Sequence, residues 1–331
     1  MRRFSIACCA LVVFVGCHAV RSKPDLFPPE PRVWSLVPRD ATIVAALNVP
    51  EALRIGVQIL SSADWDGSFG IRSVEQLRAR FRDVLGIDPG YVKKAVLVVQ
   101  MAVTGYYGGF LLYGVPKTLR PSRMVGRYRG APIFRTRFLY AAVIVDAIVL
   151  GDRRFVEKVL DLRYGLGTAK TVSSSLWMHH ADEIDRRFIK TVAIVADLRM
   201  LSERFSWFRQ FRLNYLAGAL DVERGGRVIL DADRLKAMAR FERKLRQALQ
   251  LLRAGLSLAR LSPRGISIGG GLRLTRADLA TLSEILGRLH VRLDHRQLRL
   301  SLDGAMKGWA RLELKAMLAS LKLFERINTT P

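Results

Sequence analysis

Apolar positions along this chain follow two alternating periods. Helical spacing governs Ser73 to Leu85, where Val74, Leu77, Phe81 and Leu85 share a face. It also governs Arg234 to Leu261, through Met238, Phe241, Leu245, Ala248, Leu249 and Leu252. Gly308 to Ile327 repeats the pattern with Leu314, Met317, Leu321 and Phe324, and this last element is expected to pack back on the fold. Phe155 to Leu162 and Ala277 to Leu289 read as shorter helices. Between the helices lie short apolar runs separated by glycines, which predict strands and turns.

The strands come in two sets. Thr42-Ile43-Val44-Ala45-Ala46-Leu47-Asn48-Val49 is echoed by Thr191-Val192-Ala193-Ile194-Val195-Ala196-Asp197-Leu198, with Asn48 and Asp197 each placed to cap a helix-like segment. Ala95 to Met101 and Phe110 to Val115, around Tyr106-Tyr107-Gly108-Gly109, correspond to Leu216 to Val222 and Arg227 to Leu230, around Arg224-Gly225-Gly226. Each set closes with a strand and a helix, Ala142 to Gly151 into Phe155 to Leu162 and Ile266 to Thr275 into Ala277 to Leu289. The pattern predicts an α+β fold built as a duplicated unit, with mainly antiparallel sheets each covered by helices on one face. Residues 34–170 form the expected first half, and 171–331 the second, with the long basic helix and the C-terminal helix.

The first 33 residues do not belong to that body. Arg2 and Arg3 precede an apolar core from Phe4 to Gly16, too short for a membrane helix, which needs roughly 18 or more apolar residues. Phe14-Val15-Gly16-Cys17 resembles the lipobox of bacterial lipoproteins. That resemblance implies a signal peptide over 1–16, acyl chains on Cys17 and an exported, membrane-anchored protein. His18 in place of Asp after the cysteine implies the outer membrane in a Gram-negative host, facing the periplasm or the cell surface. Residues 17–33 hold the cysteine and a proline-rich tether. The chain's three cysteines, Cys8, Cys9 and Cys17, all lie in or beside the signal, which excludes a disulfide framework or cysteine zinc site in the body.

Charge adds a direction. The formal net charge is +25, and removal of Arg2 and Arg3 with the signal lowers it by two. A protein this basic is drawn to anionic surfaces in a salt-dependent way. Outside the cytoplasm these are anionic lipid, acidic glycan or acidic envelope proteins, and no physiological nucleic acid partner is expected. The densest basic segment carries Arg234, Lys236, Arg240, Arg243, Lys244, Arg246, Arg253 and Arg260. Such a helix either lies on an anionic membrane or covers its own sheet with a solvated charged face. Arg120, Arg123, Arg127 and Arg129, beside Tyr128, form a second basic cluster.

Catalytic chemistry has one paper candidate. Gly265-Ile266-Ser267-Ile268-Gly269 fits G-x-S-x-G, with Asp278 and His290 following in hydrolase order. A nucleophile there needs a sharp strand-to-helix turn, whereas Ile266, Ile268, Leu272 and Leu274 continue a strand. His179-His180 with Asp182 and Glu183 lack metal-ligand spacing, His290 and His295 are isolated, and no phosphate or dinucleotide loop occurs. Asp152 before Arg153 and Arg154 reads as a helix cap more simply than as part of an anion site. No catalytic residue, metal or cofactor is expected.

Ser35-Leu36-Val37-Pro38-Arg39-Asp40-Ala41, Leu85-Gly86-Ile87-Asp88-Pro89, Tyr128-Arg129-Gly130-Ala131-Pro132-Ile133 and Val149-Leu150-Gly151-Asp152 together resemble a pattern in uncharacterised bacterial exported proteins and lipoproteins. That resemblance implies two similar α+β halves and an envelope address, and it carries no catalytic residue. The expected function is a non-enzymatic binding or scaffold module, the alternative a lipid-anchored hydrolase using Ser267. Palmitate supplied to expressing cells is expected to label the protein, and Cys17→Ala to abolish the label.

Overall fold

The computed structural model describes residues 36–38, 40–61, 70–102, 105–114, 123–144, 147–165, 192–199, 209–221, 224–262, 265–268 and 272–304, with single positions at 203, 308, 311, 312, 314, 315, 318 and 319. Residues 1–35, with Cys17 and the tether, and 166–191, with His179, His180, Asp182 and Glu183, lie outside them, as do Arg120, Met317, Leu321 and Phe324.

Local chemistry sets the helix ends. Helix α1 (Val49–Leu60) starts at Asn48, whose side chain accepts from the Glu51 amide at 3.3 Å. Helix α2 (Val74–Leu85) opens with a Ser73/Gln76 capping box and stops at Gly86, whose φ of 75° is the left-handed cap that glycine adopts without strain. Helix α3 (Arg153–Arg163) is capped by Asp152. Helix α4 (Leu235–Ala259) has no side-chain cap, and α5 (Arg276–Arg288) opens with a Thr275/Asp278 box.

The strands, in chain order, are β1 (Ile43–Asn48), β2 (Lys94–Ala102), β3 (Gly105–Tyr113), β4 (Arg123–Tyr128), β5 (Ala131–Arg135), β6 (Tyr140–Ile144), β7 (Ala147–Gly151), β8 (Val192–Asp197), β9 (Leu213–Asp221), β10 (Gly225–Ala232), β11 (Ile266–Ile268), β12 (Leu272–Leu274), β13 (Leu289–Asp294) and β14 (Gln297–Asp303). Twelve of them make one sheet, in the order β13-β14-β10-β9-β8-β1-β2-β3-β7-β6-β5-β4. The remaining pair, β11 and β12, forms a separate hairpin. Every pairing is antiparallel, including the central one between β1 and β8, where Ala45 stands opposite Ile194.

Helices cover both faces of this one sheet, not one face of each of several sheets. On one face Phe155, Val156, Val159 and Leu160 of α3 pack with Val44, Val98, Leu111 and Val149. The opposite face carries Ile55 and Ile59 of α1, Leu77 and Val84 of α2, and Leu97, Phe110, Ile148 and Leu150 from the strands. Leu314 and Leu318, both helical, join that second cluster, so the C-terminal helix does return to the body. Alternate strand residues feed the two faces, which is why the central strands are apolar throughout.

Three strand expectations change. Tyr107, Gly108 and Gly109 lie in β3, not in a turn, opposite Gln100, Val99 and Val98. A Cβ on Gly109 would collide with the Leu150 carbonyl and the Phe155 ring, so the glycine is what lets α3 lie close to the sheet. The run from Ala142 to Gly151 is two strands, β6 and β7, with Ile144 opposite Ala147. Ile266 to Thr275 is not one strand either: β11 and β12 pair with each other, apart from the main sheet.

Phe155 is fully buried. Phe155→Ala is expected to lower unfolding free energy by about 3 to 5 kcal/mol, measured as a lower urea midpoint at unchanged slope.

Candidate functional site: a basic helix with an exposed apolar end

Helix α4 changes role along its length. Its first turns cover the sheet: Met238 is fully buried, and Phe241 and Leu245 pack with Phe211, Leu213, Leu230 and Leu298. The Phe211 and Phe241 rings meet edge to face at 5.1 Å. At 25 residues the helix is about 37 Å long, and its later turns rest on α5 instead, where Leu256 joins Leu274, Leu279 and Leu312.

These later turns leave large apolar side chains in water. Leu251 is 75% exposed, Leu258 70%, Leu261 76% and Leu252 50%. Leu251 and Leu258 lie two turns apart on one face, away from the buried Met238 and Leu256. Scattered exposed leucines are ordinary, but three in the last turns of one helix, with Leu261 two residues past its end, concentrate apolar surface in one place. The amphipathic stripe read from the sequence stops short, since Ala248 is exposed and Leu252 half-exposed.

The eight predicted basic residues separate into two groups. Arg246 donates to Glu242 at 2.8 Å and to the Val291 carbonyl at 2.5 Å, and Arg253 donates to the Leu286 carbonyl. Both therefore fasten α4 to its neighbours. Lys244 sits 5.5 Å from the Phe211 ring centre while remaining exposed. Arg234, Lys236, Arg240, Arg243 and Arg260 are exposed. By helical spacing Lys236, Arg240 and Arg243 fall on the outward side that Leu251 and Leu258 continue. The outer side is thus cationic at the start of the helix and apolar at its end.

A buried ion cluster supports the apolar end. Asp278 is fully buried and receives Arg311 Nε at 2.8 Å, Lys315 Nζ at 2.8 Å and the Thr275 amide at 2.8 Å. Arg311 and Lys315 are themselves buried, so the cluster pins the C-terminal helix to α5, on which α4 rests. Burial pushes the Asp278 carboxyl up, but Lys315 and Thr275 outweigh it and hold the group below its ordinary value. The two cations at the far end of the chain carried no sequence signal, because partners thirty-odd residues away follow no local period.

The hydrolase residues do not assemble. Ser267 is exposed in mid-strand β11, opposite Arg273, with no strand-to-helix turn after it. Asp278 is occupied by its cap and two cations, while His290 stands on β13 of the main sheet. Asp152 accepts from the Phe155 amide at 2.9 Å and the Gly108 amide at 2.6 Å, a cap that also ties α3 to β3. Burial raises its carboxyl above the ordinary value. Of the arginines beside it, Arg153 pairs with Glu157 and Arg154 lies over Tyr107.

The second basic cluster is remote from α4. Arg123 and Arg127 lie on the edge strand β4, and Arg129 pairs with Asp161 at 2.6 Å. Nine strand spacings separate β4 from β10, roughly 40 Å along the sheet. Among the described residues, no group of three or more His, Cys, Asp or Glu is placed to hold a metal ion, and no helix is long and apolar enough to cross a membrane.

The chain is an α+β protein with a large antiparallel sheet. No family model and no curated protein matches it. Among solved structures it is similar to TP0453, a Treponema protein. Crystal form I of that protein shares 10% identity at a TM-score of 0.43, over 87% of this chain and 96% of that one. Form III gives 9% and 0.40, over 87% and 97%.

A carboxyl held low stabilises the fold above its unfolded pKa, about 4, and that contribution is lost as pH falls through the folded value. Asp278→Asn is therefore expected to remove part of the acid-limb dependence of stability, followed by circular dichroism, while Ser267→Ala tracks the wild type. Asp278→Ala leaves two buried cations without their carboxylate and is expected to cost about 3 to 5 kcal/mol at neutral pH.

Proposed function

We propose that this is a lipid-anchored bacterial envelope protein that works without catalysis, as a binding module at an anionic membrane surface. The exposed leucines at the end of basic helix α4 carry the reading. Acyl chains on Cys17 form one attachment and α4 forms the second. Lys236, Arg240 and Arg243 meet lipid phosphates, and Leu251, Leu252, Leu258 and Leu261 enter the acyl boundary, as an interfacial amphipathic helix does. In a Gram-negative host the address is the outer membrane. Acidic glycans and acidic envelope proteins remain within reach of the same charged body.

We also infer that the body is a duplicated unit. Strand order supports this: outward from the centre, β1-β2-β3-β7-β6 on one side faces β8-β9-β10-β14-β13 on the other. Ala45 and Ile194, the positions that the sequence echo aligns, are opposite each other in the central pair. On this reading β4 and β5 are an addition to the first half, and α4, β11, β12 and α5 an addition to the second.

Burying one leucine contributes about 1.5 to 3 kcal/mol, so a pair accounts for at least roughly a hundredfold in affinity. Co-sedimentation of the chain lacking residues 1–17 with anionic vesicles is expected to show binding that weakens with salt. Leu251→Ser with Leu258→Ser should lose most of it; equal binding to neutral and anionic vesicles would exclude the anionic-surface reading, and no binding to either would exclude the membrane reading.

A further inference from the structure

The three outermost strands of the second half present a different surface on the face away from α4. Sheet register places Ile229, Arg299 and Arg292 in one row across β10, β14 and β13. The next row is Arg227, Ser301 and His290. Arg227, Arg292, Arg299 and His290 are all exposed. The corresponding row of the first half, Leu111, Val149 and Ala142, is fully buried beneath α3. On the second half Leu314 and Leu318 take the C-terminal helix to the other face.

Charge makes this more than a solvated face. Arg292 stands directly opposite Arg299, a cross-strand pairing of like charges that destabilises a sheet. Asp294 meets Arg299 at 3.2 Å, giving one carboxylate for two guanidiniums. No large apolar side chain of β10, β13 or β14 is exposed, so the face lacks the aromatic or aliphatic anchors that dominate protein interfaces. Its chemistry is a set of exposed forked donors at strand spacing, Arg227 also engaged within the protein, with the Ser301 hydroxyl and the His290 imidazole beside them. Guanidiniums in that arrangement take carboxylate, sulfate or phosphate groups bidentately.

We infer that this face, built on Arg227, Arg292 and Arg299, binds an extended acidic glycan. The site is separate from α4. Its orientation rests on the membrane reading, because with α4 on the lipid these arginines point away from the headgroups. The ligand is then a polymer in the aqueous space and not the same bilayer.

The full chain carrying Cys17→Ala, with heparin as the acidic glycan probe, tests this. Arg227→Ser, Arg292→Ser and Arg299→Ser combined are expected to lower heparin affinity about tenfold and to leave anionic vesicle binding unchanged. Polyglutamate should bind the unsubstituted chain far more weakly than heparin. Because the substitutions remove like-charge repulsion at exposed positions, the thermal unfolding midpoint should not fall. The paired variant Arg292→Lys with Arg299→Lys, which keeps charge without the fork, should fall between. Unchanged heparin affinity in the triple variant overturns the proposal, as does polyglutamate binding that equals heparin binding. Heparin binding that depends on these arginines while no variant binds vesicles would sustain the glycan site and remove the membrane reading alone.

Discussion

Everything in this molecule depends on one antiparallel pairing, that of β1 with β8. It joins strands from distant parts of the chain into a single twelve-stranded sheet, and both strands are buried between layers. Val44, Ala46, Ala193 and Val195 sit in one cluster with α3, while Ile43 faces the other side toward α1 and α4. The seam sets Ala45, Ala46, Ala193 and Ala196 among valines, isoleucines and a leucine. Were it to open, each side would expose an apolar edge strand, the condition that invites aggregation.

Much of the fold was legible because its signals are local. Capping residues Asn48, Ser73, Asp152 and Thr275 and the stop at Gly86 fix helix ends within a few residues. The echo between Thr42 and Thr191 locates the two central strands. Inferences that needed a third dimension failed. Gly108 and Gly109 look like a turn until Phe155 is known to lie on them. The β13–β14 hairpin alternates leucines with Arg292, His290 and Arg299 and lacks the apolar run of the β6–β7 hairpin, so its strands give only a weak signal. That difference arises because one hairpin is covered by α3 and the other is open to water.

The basic helix shows the same division. Sequence identifies α4 and its cations, yet periodicity alone does not say where the apolar stripe ceases to be core. Contact with α5 in place of the sheet decides that, and α5 is held by Asp278 with Arg311 and Lys315. Two of the eight cations, Arg246 and Arg253, are committed to carbonyl groups of the fold itself. The exposed cations of α4 and those of β10, β13 and β14 lie on opposite faces of the sheet, so these two basic surfaces differ in character.

Leu314 and Leu318 join a core that also draws on α1, α2, strands β2, β3, β6 and β7, and Leu220 and Leu302 of β9 and β14. That core consequently cannot finish packing while Leu314 and Leu318 are still being made or threaded. Its closure waits for contacts of long sequence separation, the kind that slows folding most, and a chain ending before Leu314 would leave part of that cluster uncovered.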